Sequence, residues 1–108
     1  MAVTMNVSPS VVAMDAGMDT EVTVSVQRML DGPDDYEISG KASEKGISVE
    51  SVSGKFDDGG AGTSTVTVTV EKAVRDGYYP VELTTKAGKG ERTFTLLVAV
   101  GEGEGAGG

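Results

Sequence analysis

Five aspartates in two short loops are the side chains best placed to do chemistry. They are Asp31, Asp34 and Asp35 in the stretch Asp31-Gly32-Pro33-Asp34-Asp35, and Asp57 with Asp58 ahead of Gly59-Gly60-Ala61-Gly62. Clustered carboxylates can hold a hard cation such as Ca²⁺, which takes several oxygen ligands at once. Neither group has the EF-hand spacing, however, and Asp with Gly is equally the composition of an ordinary turn. The expectation is that all five are turn residues, with no metal, no cofactor and no catalytic role.

Covalent and acid–base chemistry is short of its usual groups. The 108 residues contain no His and no Cys, which removes Ser-His-Asp and Cys-His arrangements, thiol nucleophiles and thiolate metal sites. A working pair of carboxylates needs a pocket that shifts one of them, and no two acids fall on an apolar inner face. The chain is therefore expected not to be an enzyme. Stacking on sugar rings would fall to Tyr36, Tyr78 and Tyr79, there being no Trp. Two of these face inward by phase, leaving Tyr78 as the exposed one. Asn6-Val7-Ser8 fits a glycosylation sequon, but Pro9 follows it and the match reads as coincidence.

The net charge of −8, from 17 acidic and 9 basic residues, opposes binding to nucleic acid or anionic membrane. No run approaches the roughly 18 apolar residues of a membrane helix, so no membrane insertion is expected. The start lacks the order of a signal peptide and reads as the beginning of a segment cut from a longer chain.

What must position these residues is a set of strands. Sixteen Val and eleven Thr make a quarter of the chain β-branched, and such side chains suit a pleated surface. Residues 3–7 alternate up to Ser8-Pro9-Ser10 and read as an edge strand with a kink, continued by residues 11–13. Val22, Val24 and Val26 face inward from residues 20–27, and Tyr36, Ile38, Gly40 and Ala42 share a face in the next strand, with a bulge or close approach at Gly40. In residues 47–52 the apolar register slips by one between Val49 and Val52, which predicts a bulge or strand switch. Asp57 to Gly62 reads as a flexible tip.

Val66, Val68 and Val70 alternate with threonines in residues 63–70. Tyr79, Val81 and Leu83 point inward in residues 78–85, where Pro80 requires that the strand begin unpaired or beyond the end of its neighbour. A turn at Gly88-Lys89 then leads to Phe94, Leu96, Val98 and Val100. About seven strands with period-two alternation predict an all-β, immunoglobulin-like, two-sheet antiparallel β-sandwich over residues 1–100. Asp76-Gly77-Tyr78-Tyr79 stands where such folds carry a tyrosine corner, so the Tyr79 hydroxyl is expected to bond backbone in the crossover before it.

Several stretches also match a known pattern: Val7-Ser8-Pro9-Ser10 with Asp15-Ala16-Gly17, Gly46-Ile47-Ser48-Val49, Gly62 through Val70, and Gly77-Tyr78-Tyr79-Pro80-Val81 leading to Thr93-Phe94-Thr95-Leu96. Over residues 5–100 the chain resembles the Ig-like accessory domains of bacterial secreted peptidases and glycosidases, including those called NEW3 or alpha-galactosidase-associated. The resemblance implies a non-catalytic accessory or spacer domain of a larger extracellular or cell-surface protein. Its partners would be neighbouring domains of the same chain. The alternative is an adhesion or carbohydrate-binding module using its loop tips, with weak polysaccharide or protein binding.

Residues 101–108, Gly-Glu-Gly-Glu-Gly-Ala-Gly-Gly, hold little that can be buried. They are expected to form a flexible linker, because Gly and Glu cannot offset the entropy of ordering. Low NMR order parameters over residues 102–108 are the expected outcome, and rigid pairing with a strand would refute it.

Overall fold

The computed structural model describes residues 3–29 and 31–101. Of the expected linker, residues 101–108, all but Gly101 lie outside them. Nine strands are present among the described residues: β1 (Val3–Ser8), β2 (Val11–Met14), β3 (Asp19–Arg28), β4 (Asp35–Ala42), β5 (Ile47–Val49), β6 (Val52–Lys55), β7 (Ala61–Val70), β8 (Gly77–Ala87) and β9 (Gly90–Val100). A four-stranded sheet in the order β1-β3-β7-β5 faces a five-stranded sheet in the order β2-β9-β8-β4-β6. The all-β sandwich read from the alternation is present. Nine strands stand where seven are expected because the first and fourth segments each divide in two.

Both divisions are changes of sheet. After the cis Ser8-Pro9 bond the chain leaves β1, the edge of the four-stranded sheet, and enters β2, an edge of the five-stranded one. Residues 11–13 therefore do not simply continue the first strand. They pair parallel to β9, Val11 with Leu97 through Met14 with Val100, the one departure from an antiparallel sandwich. The register slip between Val49 and Val52 is the second switch. Before it β5 pairs with β7, and after it β6 pairs with β4. Gly40 is a close approach rather than a bulge, since a Cβ there would stand 2.6 Å from the Val49 side chain and the β4–β8 ladder runs through it unbroken.

The core lies between the sheets. From one side come Val22, Val24, Val26, Val66, Val68 and Val70, and from the other Ile38, Val81, Leu83, Leu96, Val98 and Val100, all buried. Period-two alternation puts each set on one face, and burial of apolar surface at about 25 cal/mol per Å² supplies the main driving force. Two expected core residues, Tyr79 and Phe94, are only half-buried at its border. Both lack a flanking strand. Tyr79 lies past Ala42–Val81, the last pair with β4, and Phe94 lies before Leu97, the first β9 residue that β2 reaches. Pro80 also lies past that last β4 pair, beyond the end of its neighbour as its chemistry requires.

Thr85 shares the inward phase of Leu83 and Ala87 on β8. It is fully buried, and its hydroxyl has no hydrogen-bond partner. Burying such a group costs on the order of 1–3 kcal/mol, whereas valine keeps the shape. Thr85→Val is therefore expected to raise stability by about 1 kcal/mol, read as a higher urea midpoint at unchanged slope. A lower midpoint would show that the hydroxyl is bonded.

Candidate functional site

The two acidic loops meet at one end of the sandwich. The Phe56 N–H donates to the Asp34 carbonyl at 2.9 Å, and the Arg28 N–H to the Gly60 carbonyl at 2.8 Å. Asp57 is used within its own turn, where its Oδ1 accepts from the N–H groups of Gly59 and Ala61, both at 2.9 Å. The Asp57 N–H donates to the Ala61 carbonyl, the Gly60 N–H donates to the Asp57 carbonyl, and the Gln27 amide donates to the Gly59 carbonyl. The expected flexible tip is thus a hydrogen-bonded turn, whose ties run partly to a strand 32 residues earlier.

Asp31, Asp34, Asp35 and Asp58 are exposed. Among the described residues, no three acidic side chains gather where they could hold a metal ion.

Beneath these loops is an aromatic joint. Tyr36 projects from β4 into the opposite sheet, where its hydroxyl and the Ser64 hydroxyl lie 2.6 Å apart. Its ring fits a slot between Gly54 of β6 and Gly62 of β7, where any Cβ would overlap the ring. Phe56 packs on the ring with centroids 4.9 Å apart, and the Arg28 guanidinium lies 5.4 Å from the Phe56 centroid, close enough for a cation–π contact. Tyr36 is consequently a packing residue and is not available to a ligand.

At the other end the tyrosine corner forms. The Tyr79 hydroxyl donates to the Arg75 carbonyl at 2.7 Å, which ties the β7–β8 crossover to the first turn-out of β8. Val74 of that crossover is buried on the core. The neighbouring depression of about 260 Å³ is bounded by Glu44, Lys45, Gly46, Glu71, Ala73 and Val74. It is smaller than a usual small-molecule site of roughly 300–1,000 Å³.

Tyr78, outward as its phase requires, does not stand alone. Val11 pairs with Leu97 and Leu97 with Pro80, while Ala13 pairs with Ala99 and Ala99 with Tyr78. Two rows of three apolar residues therefore lie side by side on the outer face of β2, β9 and β8. Val11 is 52% and Tyr78 63% exposed, and Ala99, between Ala13 and Tyr78, is 4% exposed. Sequence reading alone does not assemble this strip, because β2 and β9 are over 80 residues apart and their register is not written locally. One signal was present: Leu96-Leu97-Val98-Ala99-Val100 is an unbroken apolar run, although only alternate residues can reach the core.

No family model and no curated protein matches the chain. Solved structures do. The S-layer protein SbsC domains 4 and 5 give a TM-score of 0.61 at 19% identity, over 90% of this chain and 50% of that one. A family 123 glycoside hydrolase from Clostridium perfringens gives 0.60 at 7% identity, over 93% and 27%. The BIgI domain of beta protein from S. agalactiae, bound to CEACAM1, gives 0.52 at 16% identity, over 91% and 95%. The fold is immunoglobulin-like. At these identities the likeness is one of fold alone, and the chain spans half or less of the S-layer and glycosidase chains.

The half-burial of Tyr79 sets the size of its contribution. Tyr79→Phe removes the bond to Arg75 and is expected to cost about 0.5–1 kcal/mol. Tyr79→Ala also removes half-buried ring packing and is expected to cost about 2–3 kcal/mol, below the range for a fully buried aromatic. Denaturant midpoints of the two variants check this, and unchanged midpoints in both would free Tyr79 for a binding role.

Proposed function

We propose that this chain is a non-catalytic accessory or spacer module of a larger secreted or cell-surface bacterial protein, a glycosidase or peptidase in the manner of the NEW3-like domains it resembles. The observation that carries the reading is that its fold recurs as one part of longer chains, half of a two-domain S-layer piece and about a quarter of a glycoside hydrolase. The absence of His and Cys supports it. Such a module spaces or packs against its neighbours, and its partners are domains of the same polypeptide.

The alternative, adhesion or carbohydrate binding through the loop tips, draws support from the meeting of the Asp31–Asp35 and Asp57–Gly60 loops at one end. A glycan array probed with the 108-residue chain separates the two readings. The accessory reading expects no binding.

Deleting the module from the parent protein is expected to leave turnover of a small soluble substrate unchanged while lowering thermal stability or surface retention. Turnover lost with stability intact would overturn the proposal, and so would hydrolysis by the 108-residue chain itself.

A further inference from the structure

We draw no further inference here: the strongest candidate, the surface strip of Val11, Leu97 and Pro80 beside Ala13, Ala99 and Tyr78 on the outer face of β2, β9 and β8, is an unpartnered sheet face, and nothing in the structure shows what covers it.

Discussion

Residues 3–14 and 47–55 each run along one side of the sandwich and change sheets part-way, and the closure of the core depends on these crossings. Two stacked sheets have four edges, each a row of backbone groups open to pairing with another chain. Because each crossing segment divides its pairing between the sheets, the edge strands are only six, four, three and four residues long. No long flat edge remains at the ends of the strand order. The same segments fix how the sheets lie on one another, since one stretch of backbone is hydrogen-bonded into both. The fit is tight at the second crossing, where Val49 occupies the space left by Gly40 and the Tyr36 ring fills the slot between Gly54 and Gly62.

That arrangement explains what could be read from the sequence. Strands β3, β7, β8 and β9 have one buried face each, so alternation alone gives their inward residues. The slip between Val49 and Val52 was visible because a chain that changes sheets must change which parity faces the core. Tyr79 was legible because Gly77, the inward phase and a hydroxyl needing a partner coincide within three residues. The move of Val11–Met14 to the other sheet was not legible. Ser8-Pro9 shows that the strand stops without showing where it goes next.

The slot around Tyr36 and the tie from Gln27 to Gly59 were hidden for a related reason. They join residues 18 to 32 apart in sequence, and the glycines that make the slot look locally like loop or strand-weakening residues. The outward strip was harder still, since it needs the β2–β9 register, a pairing between the start and the end of the chain.

The two ends of the sandwich have become different surfaces by different physical routes. At the loop end, carboxylates and backbone amides satisfy one another: Asp57 caps its own turn, and strand and loop carbonyls accept from neighbouring N–H groups. A loop end tied in this way holds its shape without a ligand. At the exit end, β9 carries apolar residues in both phases from Leu96 to Val100. The inward set is explained by the core, and the outward set is not. Strand propensity does not require it either, for Thr93 and Thr95 hold the same phase earlier on the same strand. The change from Thr to Leu and Ala comes where β2 joins the sheet and where the chain is about to leave it. Fold stability therefore accounts for only one of the two faces at this end.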